Sequence, residues 1–328
     1  MDFIKLFPNS LKEVNDNNFE ALSLDIFHYQ AQNNLVYKKY IQWLGLDLKN
    51  IDAIHKIPFL PIEFYKYHVV KTENWKEEKI FYSSGTTGSE ISSNYIKSTA
   101  TYYWVSDYIF TQFYGNPESY HIFGLLPSYL EREGSSLVSM VENLIKSTGS
   151  EYSGFFLYDH ENLIDALSKS GNSKRRKVLF GVSFALLDLA NQYEFDFSDV
   201  IVIETGGMKG RGKELVRGEL HNQLKKAFKL ENIHSEYGMT ELCSQAYAIE
   251  PGKYKGPPWM KILVREVNDP FFYCNLGETG VINIIDLANI STCCFIETRD
   301  LGVINDDLSF NILGRMDNSD LRGCSLMV

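Results

Sequence analysis

The chain lacks most of the features that staple, anchor or positively charge a protein. Its five cysteines (Cys243, Cys274, Cys293, Cys294 and Cys324) are odd in number and without paired spacing. That excludes a disulfide framework and a zinc site of the usual kind, and leaves reduced thiols as the expectation. Basic residues are outnumbered, 32 against 42, for a net charge of −10. No global field attracts a polyanion, so nucleic acid is excluded as a partner. Any phosphate-bearing ligand must then be held by local donors and a metal. Long hydrophobic runs are missing as well. The most apolar stretch, 178–190, is interrupted by Ser183 and Asp188 and is too short to span a bilayer. The opening residues, Met1-Asp2-Phe3-Ile4-Lys5, do not have the layout of a signal peptide. The expectation is a cytoplasmic chain without membrane insertion.

What is present favours a large folded core. The 328 residues are 44% hydrophobic, with 20 Tyr and 21 Phe, enough for one big domain or two modest ones and incompatible with disorder. Residues 1–50 carry helical periodicity. Pro58 and Pro61 then bracket an extended linker at 57–62. From residue 79 onward, strand-like runs (79–82, 120–126, 178–182, 200–204) alternate with helical ones (134–147, 161–168, 213–228), which predicts an α/β domain. The basic cluster 174–177 reads as a solvated loop.

Several polar runs follow strand-like segments. Tyr82-Ser83-Ser84-Gly85-Thr86-Thr87-Gly88-Ser89 is rich in hydroxyls and glycine and suits an anion, although as a lone signal it is equally an ordinary surface loop. It is not a P-loop, because the Lys-Ser/Thr ending is absent. Glu204-Thr205-Gly206-Gly207 reads either as bare backbone for a flat ligand or as a tight turn into the next helix. Glu236-Tyr237-Gly238-Met239-Thr240-Glu241 holds a ring that can stack, a hydroxyl for a phosphate oxygen and a carboxylate for Mg²⁺. Near the C-terminus, Asp300 can accept from a ribose diol and Arg315 can reach phosphate or sugar.

Taken in order, SSGTTGS, ETGGMKG, EYGMTE, TRDLG and GRMD resemble the adenylate-forming superfamily of acyl-CoA synthetases, carrier-protein adenylation domains and luciferases. Within it the chain most resembles the acyl-protein synthetase (luciferin-component ligase) family, on IPFLPIEFYK (57–66), FGLLPSYLEREGSSLVSMV (123–141), LFGVSFALLDL (179–189), IETGGMKGRGKE (203–214) and LGRMDNSDLRGCSLM (313–327). The resemblance implies an α/β adenylate-forming large domain over 1–313, of which 1–78 is a helical N-terminal part and linker. A residual hinge and tail at 314–328 would stand where relatives carry a small subdomain. The implied activity is ATP-dependent activation of a carboxylic acid, fatty or otherwise apolar, followed by transfer to a thiol, with Mg²⁺ required.

Position by position, Ser83, Ser84, Gly85, Thr86, Thr87, Gly88 and Ser89 would wrap the β- and γ-phosphates of ATP. Gly206 and Gly207 would border the adenine, with Tyr237 of the Glu236-Tyr237-Gly238 run against its face. Thr240 would contact the α-phosphate, Glu241 would ligate Mg²⁺, Asp300 would bind the ribose hydroxyls and Arg315 would lie near the ribose. Ser128, Tyr129 and Arg132 are candidates for the acid's path.

Two departures from the superfamily pattern stand out. Glu90-Ile91 replaces the usual Pro-Lys after the phosphate loop, so Lys209, Arg211 and Lys213 become candidates to meet phosphate charge. Thirteen residues follow Arg315, where most relatives have a subdomain of about a hundred, a domain-sized unit, bearing a reactive-site lysine. The acyl-protein synthetase family shares the short ending and accepts the acyl group on a cysteine near it, which matches Cys324. The thiol acceptor is then Cys324, a partner protein, a carrier protein or CoA, with an acyl-transferase or reductase as a further partner. Alternatives are a phenylacetate–CoA-ligase-like enzyme that transfers directly to CoA or a carrier, and a non-catalytic nucleotide-binding relative.

Overall fold

Segments 120–126 and 178–182 are apolar at nearly every position, a pattern that needs cover on both faces of a sheet. In the computed structural model they form the strands Tyr120–Leu125 and Arg176–Gly181, buried throughout apart from Arg176. The structure describes residues 5–84, 90–126, 134–193, 195–206 and 217–316. The chain divides into two compact units: the first is Met1–Glu77, Ser92–Lys97 and Pro258–Val328, the second Glu78–Ile91 and Ser98–Pro257.

The second unit is built on five parallel strands. In spatial order they are Gly154–Phe155, Tyr120–Leu125, Arg176–Gly181, Val200–Glu204 and His234–Tyr237. Antiparallel strands Ala246–Ala248 and Tyr254–Lys255 extend the far side. The chain steps one way from 120–125 to 154–155 and then reverses, so the sheet switches direction between Leu125 and Gly181. Ligands of open parallel sheets sit outside the carboxyl ends of the strands, at such a reversal.

Helices cover both faces. Tyr114 of Thr99–Tyr114 meets His234, whereas His221 of Arg217–Phe228 meets the next strand residue, Ser235. Successive strand side chains point to opposite faces, so these helices lie on opposite sides of the sheet. Ser98, Ser135 and Asp159 each accept a hydrogen bond from a first-turn N–H of the helix that follows them, satisfying donors that a helix start leaves open. The apolar run 178–190 divides at Val182 into the end of a strand and the helix Ser183–Gln192. Among the described residues no helix is long and apolar enough to cross a membrane.

The basic cluster at 174–177 is a loop only in its first half, where Lys174 is exposed. Arg176 opens a strand and donates to Tyr120 Oη at 2.9 Å. Lys177 is buried and pairs with Asp199 at 2.6 Å. Long basic side chains lay their methylenes along apolar surface while the charge reaches a partner at the edge, which a count of charges does not reveal.

The first unit is an antiparallel meander of Met260–Arg265, Gly280–Asp286, Phe295–Ile304 and Phe310–Arg315. The extended linker contributes Leu60–Pro61, parallel to Phe295–Ile304. The helical periodicity near the N-terminus becomes the helices Phe19–Asn33 and Leu35–Trp43. Phe27, Tyr37, Phe59 and Phe295 interlock as a ring cluster. Cys293 and Cys294 are buried, while Cys243 in the second unit is only partly so.

Backbone polar groups inside a core must find partners, and one side chain supplies most of them here. Gln30 Nε2 lies 3.3, 3.0 and 3.3 Å from the carbonyls of Asn289, Ile290 and Thr292, and its Oε1 accepts from Cys294 N at 2.9 Å. Asn34 and Thr72 add bonds to the Thr292 carbonyl at 2.7 and 2.6 Å. Gln30→Leu keeps the bulk and strands these groups, so denaturant unfolding should show a loss of about 3 kcal/mol. A loss below about 0.5 kcal/mol, the range of an ordinary surface change, would show that Gln30 does not pin the 289–294 connection.

Candidate functional site

Val200–Glu204 is apolar for four residues and then ends in a carboxylate that is 1% exposed. A buried charge must be paired and hydrogen-bonded to be tolerated. Glu204 Oε1 accepts from Ser183 Oγ at 2.5 Å and from Gly206 N at 2.6 Å. Arg217 Nε stands 3.6 Å from Oε2, an ion-pair rather than a hydrogen-bond separation, and His221 Nε2 lies at the same distance. Ser183 N also donates to Gly206 O at 3.2 Å, and Thr205 N to Gly181 O at 3.0 Å. The carboxylate thus closes the 205–206 turn against the start of the helix Ser183–Gln192. Gly206 adopts φ 74°, a conformation that favours glycine. Burial works against the charged form of Glu204, but His221, Arg217 and Ser183 together override it and hold the group below its ordinary value.

Glu236 lies at the carboxyl end of the neighbouring strand His234–Tyr237 and is buried too. Its environment has the opposite effect. Burial, reinforced by the negative charge of Glu204 and only partly offset by Arg217, pushes it up to about 8. Gly238 explains how the side chain fits: a Cβ there would lie 2.4 Å from Glu236 Oε1. On the same face, burial and the charge of Arg176 hold His234 down at about 4, and its Nδ1 lies 3.1 Å from Tyr114 Oη.

The structure brings the central sequence-derived candidates of the second unit to neighbouring strand ends. Gly206 follows Val200–Glu204. Glu236 and Tyr237 end His234–Tyr237, and Gly238, Thr240 and Glu241 follow at once. Tyr237 is 8% exposed and Glu241 4%. Its ring centroid is 6.1 Å from that of Tyr254. Ser83 and Ser84 follow the strand Lys79–Tyr82, whose last N–H donates to Gly134 O at 2.8 Å. In the first unit, Asp300 and Arg315 are cross-strand partners, with Arg315 Nε donating to Asp300 Oδ1 at 3.0 Å. Asp300 is buried, while the Arg315 side chain is largely exposed. Gly85, Thr86, Thr87, Gly88, Ser89, Ser128, Tyr129, Arg132, Gly207, Lys209, Arg211, Lys213 and Cys324 lie outside the described residues.

Sequence reasoning gave no role to Glu204, Ser183, Arg217 or His221. A usable signal was present, since a lone carboxylate ending an apolar strand has to be met by donors. The identity of those donors depends on tertiary contacts.

No protein-family model matches the chain. It is 22% identical, over 92% of its length and 84% of the relative's, to the long-chain-fatty-acid–luciferin-component ligase of Vibrio harveyi. Among solved structures it is similar to a 2-hydroxyisobutyryl-CoA ligase in complex with 2-HIB-AMP and CoA (TM-score 0.68, 13% identity, 92% of this chain and 68% of that one). It is also similar to ATP-bound MatB from Rhodopseudomonas palustris (TM-score 0.54, 17% identity, 72% and 47%). A further likeness is to the O-succinylbenzoate coenzyme A synthetase MenE from Bacillus subtilis in complex with AMP (TM-score 0.51, 17% identity, 74% and 49%). The chain spans about half the length of MatB and MenE. The expected resemblance is thus met by a luciferin-component ligase matched along nearly the whole chain, and the α/β fold is similar to that of these CoA ligases and synthetases.

The opposite environments of the two glutamates give a pH test. Glu236 is raised from 4.5 to about 8, so between those values the folded state holds a proton that the unfolded state has released. Stability contributed by this site therefore declines as pH rises through that window. Glu236→Gln removes the titration. Its denaturation midpoint should gain on the wild type between pH 5 and pH 8; parallel profiles would show that Glu236 ionises normally.

Proposed function

We propose that the protein activates a carboxylic acid with ATP and passes the acyl group to a thiol. The observation that carries this reading is the meeting of the Gly206 turn with the 236–241 run at adjoining carboxyl ends of a parallel sheet, in a chain with the adenylate-forming fold. In this reading the Gly206–Gly207 backbone borders the adenine and Tyr237 lies against its face. Thr240 contacts the α-phosphate, residues 83–89 hold the outer phosphates, and Asp300 and Arg315 take the ribose.

A carboxylate is a weak electrophile and is itself an anion, so its approach to phosphate must be offset by fixed donors. One acid oxygen attacks the α-phosphorus while the bond to the β-phosphate oxygen breaks, giving an acyl-adenylate and pyrophosphate. A thiolate then attacks the acyl carbon and AMP departs, leaving a thioester. The buried Glu241 can hold Mg²⁺. Among the described residues no three His, Cys, Asp or Glu side chains converge, so the ion would rest on one carboxylate and the phosphate oxygens, a common arrangement for Mg²⁺. Bound there, it supplies positive charge against the phosphates.

The name of the Vibrio harveyi relative makes long-chain fatty acids the first substrates to try; Cys324, the acceptor implied by the family resemblance, is the first thiol to test. A second reading is direct transfer to CoA, favoured by the likeness to a CoA ligase over 92% of the chain.

Pyrophosphate exchange separates these steps. Glu241→Gln should lower Mg²⁺-dependent exchange by about two orders of magnitude, the scale of removing one electrostatic stabiliser; near-normal exchange would take Glu241 out of the metal site. Cys324→Ser should leave exchange intact and abolish hydroxylamine-labile acyl labelling of the protein. Persistent labelling would reject Cys324 as acceptor, and CoA thioester formation without labelling would favour the second reading.

A further inference from the structure

The strand that carries Asp300 does not pair evenly with its neighbours. Val281 stands opposite Leu301 and Asn283 opposite Glu297, so the single residue Ile282 faces Thr298, Arg299 and Asp300 together. The register breaks on the other side as well: Leu301 faces Gly314 and Gly302 faces Ile312, which leaves Leu313 as an extra residue. Bulges release a segment from the ladder and re-aim its side chains. A carboxylate presented from such a segment must be held by contacts other than regular strand pairing.

Other groups of the first unit supply that hold. Thr298 is 2% exposed and uses one hydroxyl twice. Its Oγ1 donates to the Ile282 carbonyl at 2.8 Å and accepts from the Asp300 N–H at 3.1 Å, bridging the place where the ladder is interrupted. Arg299 Nε donates to Glu63 Oε1, and the Arg299 carbonyl accepts from Met316 N at 2.8 Å. Glu63 is itself placed by backbone. Leu60–Pro61 pairs with Ile296 and Glu297, and Ile62 N donates to the Glu297 carbonyl at 2.9 Å. The Glu63–Arg299 pair is partly exposed, and ion pairs of that kind add little stability. Its effect is geometric: it ties the residue before Asp300 to the 57–66 segment, for which the proposed chemistry has no other use.

We propose that Thr298 and the Glu63–Arg299 pair are positioning residues that aim Asp300 at the sugar of the nucleotide, so that preference for ribose over deoxyribose is set by the bulge as well as by Asp300. This rests on the ATP-binding reading and adds to it the residues that stand behind its sugar contact. They act through Asp300 rather than on the ligand. A carboxylate that accepts from two neighbouring hydroxyls loses both bonds when it is displaced by about 1 Å, while contacts to adenine and phosphates are unaffected.

The test is ATP–pyrophosphate exchange with ATP, 2′-deoxy-ATP and 3′-deoxy-ATP as nucleotides. A site built to hydrogen-bond a substrate hydroxyl discriminates strongly against analogues that lack it, so the wild type should favour ATP in kcat/KM by about tenfold or more. Thr298→Val keeps the shape and removes the hydroxyl; it should raise the KM for ATP and bring the ATP to deoxy-ATP ratio toward one, whereas Thr298→Ser should keep the wild-type ratio. Glu63→Arg should likewise lower the ratio, and adding Arg299→Glu, which restores opposite charges, should recover it. The charge exchange stands as a test even where Thr298→Val fails to fold. An unchanged ratio in folded Thr298→Val or in Glu63→Arg would overturn the proposal. So would equal losses on ATP and its deoxy analogues, which mark general loosening, or a double variant no better than the single one. Wild-type exchange indifferent to the sugar hydroxyls would also overturn it, with acid activation left standing. No exchange on any acid would refute acid activation itself, and the sugar-positioning role with it.

Discussion

The carboxylate of Glu204 is the constraint on which the candidate site depends. It ends an apolar strand inside the core, where an unpaired charge is not tolerated. Its partners come from three different places: Ser183 at the start of one helix and Gly206 two residues on donate to it, and Arg217 with His221 stands close by on the helix beyond. Satisfying one charge therefore fixes the strand end, the turn and two helices relative to one another. A turn held this way presents its backbone in one conformation, which is what close approach of a flat ligand needs.

Glu204 also governs its neighbour. The two glutamates end adjacent parallel strands, but one is surrounded by donors and cations while the other is buried facing a negative charge. Identical side chains are thereby driven to opposite protonation states, an effect of environment alone. Glu204 stays an anion that organises backbone. Glu236 becomes a neutral group that can donate. In a chain of net charge −10, keeping one of two adjacent carboxyls uncharged reduces local repulsion.

Much of this was legible in the amino-acid pattern. Largely apolar runs at 120–126 and 200–203 gave parallel strands, and glycine and hydroxyl runs after strands marked where the chain turns at the strand ends. Spaced motifs such as EYGMTE carried the superfamily resemblance. Other features were hidden because they arise from contacts distant in the chain. Nothing around Gln30 announces that it satisfies carbonyls some 260 residues away, and nothing around Lys177 announces burial against Asp199.

The most direct measurement is photolabelling with 8-azido-ATP in the presence of Mg²⁺, followed by peptide mapping. If adenine lies against the Gly206 turn and Tyr237, label will concentrate in the peptides carrying 200–207 and 234–241 and will be displaced by ATP. Displaceable label confined to peptides away from both segments would contradict a nucleotide site at these strand ends.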